Sequence, residues 1–161
     1  MNKRVYIMLA VLLSVSMSAI SRNINISDDG DYGNTFQIDC SVAVSEASTT
    51  VYMYDDGGQS GNYMANRSYI KEIASTNGGS INLKFTQFNL ASGTLVTIKD
   101  AVSQALLVSN ATGTQLNGQT FTSSRGALQI IWTSSTNTGA GFAAKIWCGN
   151  MCQAFQTVIV N

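Results

Sequence analysis

Histidine and proline are both missing from the 161 residues, only 11% of the chain is charged, and the three cysteines are an odd number. Each shortage excludes something. Without histidine there is neither the commonest general base nor the commonest transition-metal ligand, so serine hydrolysis of the usual kind is excluded. Carboxylates are few: Glu46, Glu72 and seven aspartates. Acid chemistry on a glycosidic bond needs two of them facing one another, about 5 Å or about 6.5–9.5 Å apart. Asp55 with Asp100 is the pair to nominate, and turn-forming roles account for both. No phosphate cradle, C-x-x-C or zinc spacing occurs. The chain therefore reads as non-catalytic and free of cofactors. Basic residues stand singly at Arg67, Lys71, Lys84, Lys99, Arg125 and Lys145, which makes nucleic acid a poor partner, since backbone affinity comes from clustered Lys and Arg. The lack of proline leaves strand ends to glycine and Asx turns and removes one guard against edge-to-edge pairing.

What is present begins with a three-part leader. Lys3 and Arg4 precede an apolar run from Val5 to Met17, followed by small residues at Ser16, Ser18, Ala19 and Ser21. That layout predicts a signal peptide over residues 1–21 and a secreted, extracellular product. The run is shorter than the roughly 20 residues a span requires, and no second run of that length follows, so no membrane span is expected. Loss of Lys3 and Arg4 leaves nine acidic residues against seven basic ones, a faintly acidic single domain.

The remaining chain alternates. Ile81, Leu83 and Phe85 share one parity against Asn82, Lys84 and Thr86; Leu128, Ile130 and Trp132 form another row, as do Phe142, Ala144, Ile146 and Cys148, and Phe36, Ile38, Cys40, Val42 and Val44. Period two is the mark of half-buried strands. Between the rows lie clusters of Gly, Asn, Asp and Ser at 28–33, 55–62, 76–79, 111–120 and 133–141, which supply turns. The pattern predicts nine or ten short strands in an all-β, antiparallel sandwich.

Three segments in order, YDDGGQSGNY at Tyr54–Tyr63, FTQFNLASG at Phe85–Gly93 and GAGFAAKIWC at Gly139–Cys148, resemble a CUB domain. Val96–Asp100 and Trp132–Ser134 match two further motifs of that family. The resemblance implies a jelly-roll-type β-sandwich used for binding, with the CUB-like domain at 40–148. Residues 22–39 then form an N-terminal extension carrying a first strand. Residues 149–161 form a C-terminal extension in which Phe155, Val158 and Val160 predict an added strand. Many CUB domains hold calcium with one Glu and two Asp. The corresponding positions here are Ala91, Thr94 or Leu95, and Ser135, and calcium needs several anionic oxygens. No metal is expected there. Asp28, Asp29 and Asp31 have part of a calcium-loop spacing but lack the later ligands, and read as a solvated turn.

Family members usually carry four cysteines in two bridges, but Ile73 and Ala127 stand where two of them belong. Among Cys40, Cys148 and Cys152, a long Cys40–Cys148 bridge, a short Cys148–Cys152 bridge and buried free thiols all remain open. Asn25, Asn66 and Asn110 each begin a glycosylation sequon. The expected function is a secreted, calcium-independent binding module for an extracellular protein or glycan. Tyr54, Tyr63, Tyr69 and Trp147 are candidate ligand contacts near the end loops. The alternative is a structural subunit that assembles into a homo-oligomer or extracellular layer.

Overall fold

A strand with one apolar face is stable only when that face meets another, so alternating rows of this kind need a partner sheet. The structure, a computed structural model, describes residues 21–151, with the backbone alone for Asn150 and Met151. Ten strands run through the described residues: β1 (Arg22–Asn25), β2 (Thr35–Ile38), β3 (Val51–Tyr54), β4 (Ser68–Ser75), β5 (Gly79–Asn89), β6 (Leu95–Asp100), β7 (Leu106–Ala111), β8 (Thr120–Thr122), β9 (Ala127–Thr133) and β10 (Gly141–Met151). A single 3-10 turn at Glu46–Ser48 is the only helical element among these residues. None of their helices is long and apolar enough to cross a membrane. The leader and the expected last strand with Phe155, Val158 and Val160 lie outside the described residues, as does Cys152.

The strands form two five-stranded sheets, in the orders β1-β3-β10-β5-β8 and β2-β4-β9-β6-β7. The all-β sandwich expected from the alternation is present. Pairing is antiparallel except at two places: β1 lies parallel to β3, with Arg22 opposite Val51, and β2 lies parallel to β4, with Thr35 opposite Glu72. Residues 22–38 thus supply an edge strand to each sheet. The loop between these strands is tied down from below, since the half-buried Asp28 accepts from the Asn25 N–H and the buried Lys71 ammonium donates to its carbonyl at 2.7 Å. Asp31 accepts from Arg22 and from the Gln37 N–H, and Arg22 holds its carboxyl below the usual range. The acidic turn is therefore a set of caps and one ion pair.

The inward rows meet as predicted at Ile81, Leu83, Phe85, Leu128, Ile130, Trp132, Phe142, Ala144 and Ile146, all buried. Their centre is aromatic. Trp132 meets Tyr63 edge-on at 5.0 Å and Phe142 at 5.6 Å, and Phe85 meets Phe88 at 5.0 Å and Phe142 at 5.5 Å. Such pairs contribute about 0.5–1.5 kcal/mol each beyond their buried area.

One predicted row breaks. Phe36 and Cys40 are buried, but β2 stops at Ile38, and Val42 and Val44 are exposed in the following loop. The cause is covalent. Cys40 is bonded to Cys148 of β10, with 5.3 Å between their Cα atoms, so the chain is drawn from the second sheet to the first before the row can continue. The bridge selects the long pairing among those the sequence left open. It joins residues 108 apart in sequence, which restricts the unfolded chain far more than a short loop would. Replacing both cysteines, Cys40→Ala with Cys148→Ala, is expected to lower unfolding stability by about 2–5 kcal/mol. Urea unfolding of the two proteins measures the difference, and an unchanged midpoint would show that the bridge contributes nothing.

Candidate functional site

Three connections gather at one end of the sandwich: 55–67 between β3 and β4, 90–94 between β5 and β6, and 134–140 between β9 and β10. Tyr63 holds them together. Its ring is packed in the core, and its hydroxyl donates to Thr94 Oγ1 at 3.1 Å while accepting from the Ala91 N–H at 2.9 Å. Thr94 Oγ1 also accepts from the Ser135 N–H at 3.2 Å, and Ser135 Oγ donates to the Ser92 carbonyl at 2.9 Å. The corner at Ala91, Thr94 and Ser135 is thus closed by neutral hydroxyls and backbone groups that satisfy one another. Nowhere among the described residues do three His, Cys, Asp or Glu side chains come together to hold a metal ion.

Beside this corner sits Asp55, fully buried at the end of β3. One carboxylate oxygen accepts from the Gly57 N–H at 2.8 Å and the other from the Phe142 N–H at 2.6 Å, joining the loop to the start of β10. Burial pushes its pKa up to about 6, against the pull of those donors and helped by the neighbouring Asp56. Gly141 is needed for the approach: its φ is +74°, and a Cβ there would lie 1.7 Å from Asp55 Oδ2. Asp100 is the contrary case. Burial opposes its charge too, but donors from Ser103 and Ser124 outweigh it and hold the carboxyl well below the usual range. Asp55 and Asp100 lie at opposite ends of the sandwich, since β6 runs from the Thr94 corner to Asp100, about 17 Å at about 3.4 Å per residue. They do not face one another across a cleft.

The four aromatic candidates do not converge. Tyr63 at 1% exposed and Tyr54 at 8% are closed off from a ligand, because the core takes the first and the sheet surroundings cover the second. Tyr69 is half-buried at this end, with its hydroxyl donating to Asp56 Oδ2 at 3.2 Å. Trp147 is half-buried at the opposite end, in the wall of a hollow of about 210 Å³ with Val42, Val44 and Val51. Its indole N–H reaches Asn82 at 3.2 Å in the amide orientation that also serves Thr122. Asn66 and Asn110 are exposed, each with positive φ, and Asn25 is half-buried.

Residues of the three CUB-like segments that the sequence did not nominate as ligand contacts form a second concavity at the corner. Gln59, Ser60, Gly61, Asn62, Gln87 and Ala140 line about 200 Å³. Gln87 is there because of a β-bulge: β10 pairs Ala143 with Gln87 but Ala144 with Phe85, so Thr86 and Gln87 both point outward between buried Phe85 and Phe88. Two polar residues between the apolar Phe85 and Phe88, where strict alternation allows one, are the sequence signal of that bulge.

No family model matches the sequence, and no curated protein matches it. Among solved structures, the chain is similar to the CUB1-EGF-CUB2 domains of rat MASP-1, with a TM-score of 0.53 and 15% identity over 71% of this chain and 42% of that one. Likenesses to the CUB1-EGF-CUB2 domain of human MASP-1/3 (TM-score 0.46, 20% identity, 55% of this chain and 37% of that one) and to the extracellular region of zebrafish Gpr126/Adgrg6 (0.48, 20%, 55% and 12%) are too weak to add to this. The chain spans less than half the length of each of these three. The fold is CUB-like.

Asp55 makes stability depend on pH in an unusual direction. Its folded pKa of about 6 exceeds the unfolded carboxylate value of about 3.9, so between those values the folded state binds more protons and stability falls as pH rises. We expect the melting temperature to fall from pH 4.5 to pH 7 and Asp55→Asn to flatten that slope. A wild-type melting temperature that rises steadily over the interval contradicts it.

Proposed function

We propose that this chain is an exported, non-catalytic binding module that holds an extracellular protein or glycan through the loops 55–67, 90–94 and 134–140 without calcium. The observation that carries this reading is the Tyr63–Thr94–Ser135 network. Where the CUB resemblance puts an ion to order the loops, neutral hydrogen bonds order them instead. Dehydrating a divalent cation against hydroxyls and backbone alone is unfavourable. Export is supported by the leader-like layout of residues 1–21 and by the Cys40–Cys148 bridge, which persists in oxidising compartments. The non-catalytic reading is supported by the absence of histidine and by the separation of Asp55 from Asp100.

A second reading, assembly into a homo-oligomer, is favoured by one edge. β7 borders the second sheet, carries no proline, and exposes Leu106 at 57% and Leu107 at 39%, with Val102 nearby at 51%. Open edges of this kind pair with other strands.

Melts in millimolar calcium and in chelator test the first reading. An ion at a hundredfold its Kd would add about 2.7 kcal/mol, and we expect equal melting temperatures; a clear rise with calcium sinks the claim of independence. A glycan array and a pull-down from secreted extracts that both come back empty with folded protein would remove the binding role. Sedimentation decides the second reading: an assembling edge gives oligomers that Leu106→Lys with Leu107→Lys returns to monomer, whereas monomer at every concentration, with or without reductant, eliminates it.

A further inference from the structure

The concavity walled by Gln59, Ser60, Asn62 and Gln87 is chemically uniform: three primary amides, one hydroxyl, the Gly61 backbone and Ala140. Among the described residues, the side chains of Gln59, Ser60 and Asn62 make no hydrogen bond within the molecule. Each amide offers a carbonyl acceptor and an NH₂ donor side by side, the arrangement that matches adjacent hydroxyls on a ring. The lining contains no charge and no apolar wall beyond one alanine, so it suits neither an ion nor an aliphatic anchor. Two carboxylates, Asp55 and Asp56, stand at the base of the same loop and disfavour an anionic ligand.

The backbone beneath these side chains is fixed in place. Gly57 accepts no side chain because a Cβ would lie 2.5 Å from the Asn62 backbone, and one on Gly61 would lie 2.5 Å from the Gly57 carbonyl. The loop is further pinned by the Gly57 N–H on Asp55 and the Tyr63 N–H on the Gly139 carbonyl at 3.2 Å. On the facing side, the bulge turns Gln87 outward and its amide donates to the Ala140 carbonyl at 3.3 Å. A ligand therefore meets an ordered backbone and has only the exposed side chains of Gln59, Ser60 and Asn62 left to order.

We propose that this concavity is a subsite for one neutral sugar ring of an extracellular glycan, held by the amides of Gln59, Asn62 and Gln87 and the Ser60 hydroxyl. The inference rests on the binding-module reading above and narrows its ligand. The test is amide-resolved NMR on the folded domain, titrated with the methyl glycosides of neutral hexoses and N-acetylhexosamines and, separately, with methyl sialoside. Saturable shifts of the Gln59, Asn62 and Gln87 side-chain NH₂ signals with a neutral glycoside, weakened at least tenfold by Asn62→Ala and by Gln87→Ala, are the expected result. Both positions are exposed, so melting temperatures should be unchanged; should Asn62→Ala unfold, Gln87→Ala alone decides. No shift with any neutral glycoside, shifts indifferent to Gln87→Ala, or preference for the sialoside overturns the subsite. If the sugars fail while exchange of the exposed Gln59, Ser60 and Asn62 for alanine, which spares Asp55 and Tyr63, abolishes capture of a secreted protein, the subsite falls and the binding module stands. If that exchange also costs nothing, both fall.

Discussion

Tyr63 joins the interior of this protein to its surface. Its ring meets Trp132 edge-on between the sheets, and its hydroxyl reaches past the core to Thr94 and the Ala91 N–H. The apolar part is worth a few kcal/mol of burial and the two hydrogen bonds about 0.5–1.5 kcal/mol each, so the position of three loops is tied to the packing of the central aromatic cluster. The loops are not free to drift without opening the core. The joint is packed and uncharged, built from a ring, two hydroxyls and backbone amides.

Asp55 and Asp100 mark how the same side chain serves two ends differently. Both accept backbone N–H groups at strand termini, yet the balance of burial against donors falls on opposite sides. Asp100 has the Ser124 hydroxyl in addition to amides and keeps its charge comfortably. Asp55 has two amides and no solvent, with Asp56 beside it. The less comfortable of the two carboxylates underlies the candidate binding end.

Most of the fold was legible because period-two rows and turn clusters act locally: Ile81–Phe85, Leu128–Trp132 and Phe142–Ile146 went where their parity sent them. What escaped the sequence depended on distant partners. Val42 and Val44 continue an apolar row on paper, but the bond from Cys40 to Cys148 turns the chain away first. The parallel placement of β1 and β2 follows from where the opposing strands lie, which no residue in 22–38 encodes by itself. Tyr54 and Tyr63 looked like contact residues because they flank a polar loop, although their burial is set by β10 and by Trp132. The roles of Asp55 and Asp100 as turn anchors were readable as far as the local caps on Gly57 and Ser103, two and three residues on, but not their bonds from the distant Phe142 and Ser124. Gln87 was not picked out: its direction comes from a register shift against β10, visible in the sequence only as a doubled polar step.

The Cys40–Cys148 bond closes a covalent ring that contains every loop of the candidate binding end. A protease that nicks one peptide bond anywhere inside that ring leaves two pieces still linked through sulfur, with both sheets able to stay zipped. Where proteases are abundant and chaperones scarce, such a molecule withstands a single cut in one of those loops without shedding half of itself.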